Sequence, residues 1–386
     1  CATLDFLILM LSSKIGILGG GQLGLMLLQA AVDWNLDVHI LDPDAEAPCS
    51  KIAPHFQQGS LQDFDTVYQF GKNLDIITIE IEKVNVEALE LLVAEGKQVF
   101  PQPEVIRLIQ DKRIQKQFYL DHNLPTADVI LTENRADVEK HIDFLPAFHK
   151  LGKDGYDGRG VQRIASAADL PKAFDQPGLL EKAVPFEKEL AVIVSRNASG
   201  EVSTFPTVEM VFHPELNLVE YLFAPAEISA QIDQKAQEIA KRTAEAFQIV
   251  GILAVELFLT KEGEILINEV APRPHNSGHH TIRANATSQY EQHWRSILNL
   301  PLGSTYTYGP SAMVNLLGEA GYEGKAHYEG MEKLLATPQV FPFLYWKAIT
   351  KPFRKMGHIT IVDQDIESLR EKVEFVKNNI RVISKA

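Results

Sequence analysis

Apolar positions along residues 14–100 fall into blocks of alternating character, from the continuous runs of buried strands to the three-to-four-residue spacing of helices. The strand-like runs Ile15–Leu18 and Val38–Leu41 flank the helix-like segment Gln22–Trp34. A second strand, helix and strand follow between Asp75 and Phe100. Strands joined by crossover helices pack as a parallel sheet, so we predict a doubly wound α/β domain over residues 14–107.

The pattern changes after this domain. A helix-like stretch, Asp111–Leu120, is followed by short β runs on either side of the glycine-rich segment 152–160. This mixture predicts a small α+β lobe over residues 108–186 that carries a mobile loop.

From residue 187 the strands alternate more regularly around turn signals. Ser199-Gly200 and Glu262-Gly263 each separate two strand-like runs, and a helix-like segment, Ser229–Gln248, lies between the two pairs. We therefore predict two hairpins within a larger lobe that spans residues 187–386. The four runs are Lys188–Arg196, Glu201–Val208, Ile252–Thr260 and Glu264–Val270.

Composition and charge narrow the class of protein. The 386 residues carry a formal net charge of -14, which argues against a protein that coats the phosphates of nucleic acid. The early apolar run Phe6–Leu11 is far shorter than the ~20 residues of a membrane span, and no basic residue precedes it. We therefore expect no membrane span and no export. Two cysteines give no disulfide framework, which favours the cytoplasm.

A glycine motif, Gly19–Gly24, lies between the first strand and the first helix, and Asp42 ends the next strand. This G-x-G-x-x-G spacing is typical of dinucleotide binding, with phosphate at the helix N-terminus and Asp42 on a ribose hydroxyl. A tight turn without a ligand, or one that binds another phosphate, fits the pattern equally well.

The second predicted hairpin brings two acids together. If Glu262 and Gly263 form a two-residue turn, Glu256 lies directly opposite Glu269, with Cβ atoms only ~5 Å apart. Both acids are embedded in apolar runs, so a divalent cation such as Mg²⁺ would offset their repulsion. The alternative is a pair of exposed glutamates on a polar face.

Cations and glycines cluster in the small lobe. Lys150 and Arg159 accompany the loop Gly155–Gly160, whose backbone could fold around phosphate oxygens. The segment Glu181–Val184 ends a strand between the lobes, where it could contact an adenine edge. The alternative for the loop is an ordinary surface turn.

Two further stretches contain basic residues and no acid. Residues 270–290 include Arg273, His275, Asn276, His279, His280 and Arg283. Residues 341–358 include Lys347, Lys351, Arg354, Lys355 and His358. In an acidic protein such stretches are candidate anion pockets, although solvated basic loops remain the ordinary alternative.

In their order along the chain, these motifs resemble those of the ATP-grasp superfamily and, within it, the 5-(carboxyamino)imidazole ribonucleotide synthetases of purine biosynthesis. The resemblance runs from about Lys14 to about Val362, and Ile267–His279 is its most specific element. It implies an ATP-grasp fold with an N-terminal doubly wound, Rossmann-like domain. In this family the glycine motif lies on the substrate side and binds no dinucleotide.

The resemblance also implies an ATP site. Lys112 and Lys150 would contact the phosphates, Glu189 the ribose, and His213 would lie near the phosphates. Its other members would be Gly155, Gly158, Gly160, Glu181, Lys182, Ala183, Val184 and Asn268. Glu256 and Glu269 would bind Mg²⁺. Strand alternation, however, predicts that the Asn268 side chain points away from the face of Glu269.

A second pocket is implied for the ribonucleotide and the reacting carboxyl group. Tyr156, Asp157, Arg159 and Lys347 would act at the reacting groups. The substrate-binding residues would be Gly21, Gln22, Leu23, Glu80, Arg273, His275, Asn276, Ser277, Lys347, Arg354 and Lys355. One departure from the family pattern is Asp154, where glycine is usual, and it affects the expected conformation of the loop.

The implied reaction is ATP- and bicarbonate-dependent carboxylation of aminoimidazole ribonucleotide, through carboxyphosphate, with the loop around Tyr156 excluding water. The family also implies a homodimer and transfer of the product to a mutase. The alternatives are a formate-dependent glycinamide ribonucleotide ligase, an NAD-dependent dehydrogenase and a nucleotide sensor without catalysis.

Overall fold

The computed structural model describes residues 12–153, 155, 160–213 and 218–385. Its N-terminal domain is a five-stranded sheet in the order β3-β2-β1-β4-β5, with every neighbouring pair parallel. The predicted doubly wound architecture is therefore confirmed. The strands are β1 Lys14–Leu18, β2 Asp37–Asp42, β3 His55–Gln58, β4 Ile76–Ile79 and β5 Gln98–Phe100; the helices are α1 Gln22–Val32, α2 Phe64–Gly71, α3 Val86–Ala94 and α4 Pro103–Ile109.

The small lobe is a four-stranded antiparallel sheet in the order β6-β9-β7-β8, preceded by helix α5. Asp111 caps α5 by accepting a hydrogen bond from the Arg113 N–H, which satisfies one of the free donors at the helix start. The bounds are α5 Lys112–Asp121, β6 Val129–Thr132, α6 Arg135–Glu139, β7 Ala147–Leu151, β8 Val161–Ile164 and β9 Gly178–Lys182.

The large lobe is built on a nine-stranded sheet in the order β15-β14-β10-β12-β13-β16-β20-β18, with β11 paired to β10. One face packs on helix α7 through Leu190, Val192, Val255 and Leu257. The bounds are β10 Phe186–Arg196, β11 Val202–Thr204, β12 Val208–Phe212, β13 Val219–Ala224, α7 Ala230–Ala246, β14 Gly251–Thr260, β15 Ile265–Ala271, α8 Thr281–Ala284, α9 Gln289–Ile297 and β16 Ser311–Leu317.

The C-terminal part completes this sheet and adds a small one in the order β19-β17-β21. Helix α11 packs on β16 and β20 through Leu369, Val373 and Val376. The bounds are β17 Gly324–Glu329, α10 Met331–Leu335, β18 Val340–Leu344, β19 Ile349–Thr350, β20 Lys355–Val362, α11 Ile366–Asn379 and β21 Arg381–Ser384. Among the described residues, no helix combines the length and apolar character needed to cross a membrane.

One predicted strand is wrong. The run Glu201–Val208 is two strands, β11 and β12, and both pair with β10. Pro206 lies between them, and a proline cannot donate a ladder hydrogen bond, so the chain leaves the sheet there. The domain limits at residues 107 and 186 remain predictions.

The N-terminal domain shares a core with the large lobe. Helix α1 packs on α9, and the Trp294 indole N–H donates to the Leu27 carbonyl at 2.9 Å. The hydroxyl of Thr78 lies 2.9 Å from His293 Nε2 across the same boundary. This packing sets the end of the glycine motif beside the large lobe.

Candidate active site

Two carboxylates face each other on the free side of the large sheet. Glu256 of β14 pairs directly with Glu269 of β15, and Ala191 of β10 lies on the other side of Glu256. Glu189 is two residues from Ala191 and shares its face. The predicted opposition of Glu256 and Glu269 is thus confirmed, with a third acid nearby.

The hairpin reaches this pairing by a different route from the one predicted. The turn has three residues, because the Thr260 N–H bonds to the Glu264 carbonyl and Gly263 adopts a positive φ of 79°. A bulge at Asn268 then restores the register, since Leu257 pairs with Ile267 but Glu256 pairs with Glu269.

The bulge also overturns the alternation argument for Asn268. Ile267 and Val270 both face the core on α7, so the two residues between them share the opposite face. Asn268 and Glu269 are both partly exposed there. The amide and the carboxylate therefore line the same side of the hairpin.

The pKa values of the two glutamates are shifted in opposite directions. Burial, and then the charges of Glu269 and Glu189, raise the pKa of Glu256. The ammonium of Lys112, 2.9 Å from Glu269 Oε2, lowers the pKa of Glu269. Burial together with Glu269 raises the pKa of Glu189 to about 7. The site therefore has a deficit of positive charge that a cation would supply.

Helix α5 carries two lysines into this region. Lys112, at its start, reaches Glu269, and its backbone N–H donates to the Gly152 carbonyl at 2.7 Å. Lys116, one turn later, is 3% exposed and was not among the predicted site residues. Its four-residue spacing from Lys112 places both ammonium groups on one helix face, which is the sequence signal that could have identified it.

Lys116 and Lys150 both bind Glu181. The two ammonium groups lie 2.6 Å from Oε2 and Oε1 of its carboxylate. Burial alone would raise the pKa of Glu181, but the charges of Lys150 and Lys116 lower it. The carboxylate of Glu181 therefore orients two lysines, while its strand, β9, leads into the predicted adenine-contacting segment.

In the predicted adenine-contacting segment Glu181–Val184, the nitrogen donors of Lys182 and Ala183 are already used. The Lys182 ammonium donates to the Phe144 carbonyl at 2.9 Å, and its N–H donates to the Asp128 carbonyl at 2.9 Å. The Ala183 N–H donates to the Pro146 carbonyl at 3.1 Å. An adenine contact by these two residues is left to the carbonyl groups.

His275 approaches Glu256 from the loop after β15. Its Nδ1 accepts from the Ser277 N–H at 3.3 Å, so Nε2 carries the proton, and Nε2 lies 3.3 Å from Glu256 Oε1. Burial and the charges of Arg273 and Lys355 lower the pKa of His275 to about 3, so the ring is neutral.

Neighbouring side chains fix this loop. Ser277 is 1% exposed and its hydroxyl lies 2.9 Å from His275 Nδ1, so it supports the ring from behind. Gln289 accepts from the His275 N–H and donates to its carbonyl. Asn276 exchanges two amide hydrogen bonds with Asn315. Gln289 and Asn315 were missed because their partners are distant in sequence.

The glycine motif is filled by the protein's own acids. Glu80 accepts hydrogen bonds from the N–H groups of Gly21, Leu23 and Gly24 at 2.8–3.1 Å. Asp42 accepts from the Gly20 N–H at 2.6 Å. A carboxylate thus occupies the helix N-terminus where a dinucleotide phosphate would bind, and the interpretation as a dinucleotide site is wrong. Gln22 begins helix α1 beside this carboxylate.

Positive charge from two further parts of the chain acts on this region. Arg273 Nε lies 2.9 Å from Glu82 Oε1 at the N-terminal domain, and the charge of Lys355 acts on both Glu256 and His275. Lys347 donates to the Lys355 carbonyl at 2.8 Å. Arg354 donates to the Ile349 carbonyl at 2.7 Å through Nη1. The last two contacts hold the segment that precedes β20.

Part of the predicted anion pocket is wrong. His279 and His280 are 1% and 2% exposed, and burial lowers the pKa of both, so neither carries a positive charge. His279 instead lies 2.8 Å from the Tyr290 hydroxyl and its ring is 4.8 Å from that of His358. These histidines belong to the core.

Several predicted residues cannot be placed. Asp154, Tyr156, Asp157, Gly158 and Arg159 lie outside the described residues. The base of their loop is described: the Leu151 N–H donates to the Gly160 carbonyl at 2.8 Å, and Gly160 has a φ of 76°. His213 follows β12, and its N–H donates to the Leu218 carbonyl at 2.9 Å.

The donor set fits Mg²⁺. Glu256 and Glu269 are opposed oxygen donors, Asn268 adds an amide oxygen on the same face, and hard divalent cations prefer such ligands together with phosphate oxygens. Lys112 contacts Glu269, and the charges of Lys355 and Arg273 act on Glu256 and His275. The arrangement can therefore hold a polyphosphate against a second anionic substrate.

Three family models match the chain in succession. Residues 12–110 match the ribonucleotide synthetase preATP-grasp domain, residues 117–290 the ATP-grasp domain, and residues 311–372 the phosphoribosylaminoimidazole carboxylase C-terminal domain. Together they account for the doubly wound domain, both lobes and the C-terminal strands.

Relatives of known function cover nearly the whole chain. N5-carboxyaminoimidazole ribonucleotide synthase of Bacillus subtilis is 37% identical over 91% of this chain and 91% of its own length. Phosphoribosylaminoimidazole carboxylase of Ogataea methanolica is 37% identical over 96% of this chain, which spans 70% of that longer protein.

Solved structures show the same fold. N5-carboxyaminoimidazole ribonucleotide synthetase of Thermotoga maritima is 41% identical with a TM-score of 0.90, covering 97% of this chain and 100% of that chain. The Aspergillus clavatus synthase in complex with ADP and 5-aminoimidazole ribonucleotide is 35% identical with a TM-score of 0.87, covering 95% and 98%.

Proposed function

Because this chain belongs to the N5-carboxyaminoimidazole ribonucleotide synthase family of ATP-grasp ligases, we propose that it carboxylates 5-aminoimidazole ribonucleotide with ATP and bicarbonate. It is an ADP-forming carbon–nitrogen ligase of purine biosynthesis, and ATP is its co-substrate. The observation that carries the detailed proposal is the carboxylate pair Glu256/Glu269. Lys112, assigned to ATP, contacts Glu269, and the charge of Lys355, assigned to the ribonucleotide, acts on Glu256.

In the proposed reaction, a bicarbonate oxygen attacks the γ-phosphorus of ATP, and the bond to the ADP oxygen breaks. The resulting carboxyphosphate releases phosphate and CO₂. The exocyclic amine of the ribonucleotide then attacks the CO₂ carbon and loses a proton, which gives the N-carboxylate. Each ATP consumed therefore yields one ADP, one phosphate and one carboxylated product.

Separate groups of residues would bind the ATP phosphates, the Mg²⁺ ion, and the ribonucleotide with bicarbonate. Lys112 and Lys150 hold negatively charged phosphate oxygens and stabilise the charge that moves onto them, with Glu181 fixing the direction of Lys150. Glu256 and Glu269, with Asn268, would hold Mg²⁺, which neutralises phosphate charge when bound. Arg273, Lys347, Arg354 and Lys355 supply positive charge for the ribonucleotide phosphate and the bicarbonate.

His275 is neutral and lies beside Glu256, which we place between the ATP site and the ribonucleotide site. Its Nε2–H donates toward Glu256, and supporting contacts from Ser277 and Gln289 fix its ring. We assign it to orienting Glu256 at the reacting carboxyl group. Tyr156, Asp157 and Arg159 are proposed to close over this point and exclude water, because carboxyphosphate hydrolyses readily.

ADP release with one substrate omitted in turn tests this proposal. We expect ADP production to require both bicarbonate and aminoimidazole ribonucleotide for its full rate. Formate with glycinamide ribonucleotide should not replace them, since the C-terminal part matches a phosphoribosylaminoimidazole carboxylase domain. A full rate with formate, or none with bicarbonate, would contradict the assignment.

The assembly and location are proposals as well. We propose a homodimer that acts in the cytoplasm, where the buried Cys49 thiol stays reduced, and that transfers its unstable product to a mutase. Light scattering during size-exclusion chromatography would test the dimer.

A further inference from the structure

Three metal-ligating side chains meet at the end of the N-terminal sheet opposite the glycine motif. His39 of β2 and His55 of β3 are paired in the parallel ladder, and Asp37 lies two residues before His39 on the same face. Over the described ranges, this is the one group of three histidine, cysteine or acidic residues whose ligand atoms all lie within 4.8 Å of one another. The proposed reaction does not use them.

Their separations are close to those of a metal site. Asp37 Oδ1 lies 3.2 Å from His39 Nε2 and 3.6 Å from His55 Nε2. Ligands that share a tetrahedral zinc ion at ~2.0–2.1 Å are about 3.3 Å apart, so two of the three separations already fit. The imidazole rings are stacked with centroids 4.3 Å apart. Metal binding therefore requires the two rings to rotate out of this stack so that both Nε2 atoms point at one ion.

His39 has an unsatisfied atom at this point. Its Nε2 is buried and lies 3.2 Å from Asp37 Oδ1, without a well-aligned hydrogen bond between the two atoms. Buried polar atoms are rarely left without a partner, so this nitrogen is available as a ligand.

The site is open to solvent on one side. The His55 side chain is 55% exposed, and both histidines line a cavity of about 430 Å³ that helix α2 covers with Gln69 and Phe70. The cavity leaves room for a water molecule as a fourth ligand. Lys14 lines the same cavity, and its charge would weaken the binding of a cation.

We propose that Asp37, His39 and His55 bind a divalent transition-metal ion, with Zn²⁺ as the best match. Two imidazoles and one carboxylate suit zinc rather than Mg²⁺ or Ca²⁺, which prefer oxygen ligands alone. The ion fastens β3, the edge strand of the sheet, to β2. Its site lies about 10 Å along β2 from Asp42, which holds the glycine motif.

Zinc titration of the untagged protein against a chromophoric chelator tests the proposal. Excess Mg²⁺ is included so that the carboxylate pair of the active site does not take up zinc. We expect one equivalent of tightly bound zinc. Loss of a supporting partner alone costs about 10- to 100-fold in metal affinity, so His55→Gln should weaken binding at least about tenfold. The control His141→Gln, a histidine in another lobe, should bind like the unaltered protein.

The variant His39→Gln and the absorption of bound Co²⁺ test the same site if His55→Gln folds poorly. Co²⁺ should give visible d–d absorption in the unaltered protein, and both His55→Gln and His39→Gln should lose it. Equal zinc affinity in His55→Gln, or the absence of a bound equivalent in the unaltered protein, would overturn the proposal. The histidines would then form only a stacked pair beside Asp37.

Discussion

At the scale of single residues, the site depends on paired charges whose partners lie far apart in sequence. Glu269 combines two roles, because it opposes Glu256 across the hairpin and accepts the Lys112 ammonium. Glu181 likewise holds two lysines from two elements. Each carboxylate therefore gives a substitution whose effect can be predicted.

Glu269→Gln should lower kcat at least about a hundredfold while the fold stays intact. The change removes a ligand charge for Mg²⁺ and leaves the side-chain volume unchanged. ADP production and circular dichroism check the two parts of the prediction. Glu262→Gln, in the turn of the same hairpin, is the control and should keep normal activity. Near-normal ADP production by Glu269→Gln would remove this residue from the metal site.

Glu181→Gln should destabilise the protein by about 3–5 kcal/mol at pH 7, because it leaves the buried Lys116 without its partner. The folded-state pKa of Glu181 is below its ordinary value of 4.5. Its stabilising contribution is therefore complete above about pH 4.5 and is lost as the pH falls through the lower folded-state value.

Denaturant unfolding of Glu181→Gln and the unaltered protein at several pH values measures this difference. The gap in unfolding free energy should narrow in acid below about pH 4.5. Glu187→Gln, an exposed acid of strand β10, should show no gap. A gap that stays constant into acid would mean that the ion pairs with Glu181 do not stabilise the fold.

At the scale of elements, the sequence predicted the pairing of the hairpin but not its construction. The pairing of Glu256 with Glu269 was predicted from an assumed two-residue turn at Glu262-Gly263, and the structure has the same pairing. The three-residue turn and the bulge at Asn268 were both missed, and the predicted pairing is nevertheless right because their one-residue shifts cancel.

Other parts of the site could not be predicted from local pattern. The contact of Lys116 with Glu181 joins a helix to a strand, and no periodicity encodes such a pair. His279 and His280 were interpreted as cations by residue type, but burial leaves them neutral. Glu80 fills the glycine motif from the end of a different strand.

Deletion of Asn268 should leave the fold intact and weaken ATP binding. Without the extra residue, Glu269 still pairs with Glu256 and Val270 still faces the core, so the hairpin becomes regular. The amide oxygen on the site face is lost, and we expect the KM for ATP to rise at least about tenfold. Asn268→Ala, which keeps the bulge, should show a similar rise. An unchanged KM in both variants would exclude Asn268 from the nucleotide site.

At the scale of the whole molecule, the N-terminal domain and the large lobe share one core. Trp294 is fully buried at their boundary and bonds to Leu27. The proposed ribonucleotide pocket draws residues from both sides, so the relative position of the domains would fix its shape. Thermal unfolding should accordingly show one cooperative transition.

Trp294→Phe should lower the unfolding free energy by about 1–3 kcal/mol, since it removes a buried hydrogen bond and opens a small cavity. Trp346→Phe is the matched control, because Trp346 is 46% exposed and should tolerate the change. Denaturant unfolding measures both. Equal stability of the two variants would show that the interdomain contact contributes little.

The central claim is that ATP activates bicarbonate before the amine is carboxylated. Bicarbonate labelled with ¹⁸O tests it most directly, because attack of a bicarbonate oxygen on the γ-phosphorus transfers that oxygen to the released phosphate. We predict one labelled oxygen in each phosphate formed, in step with ADP and carboxylated ribonucleotide. Phosphate without label, formed at the same rate as the product, would contradict the account.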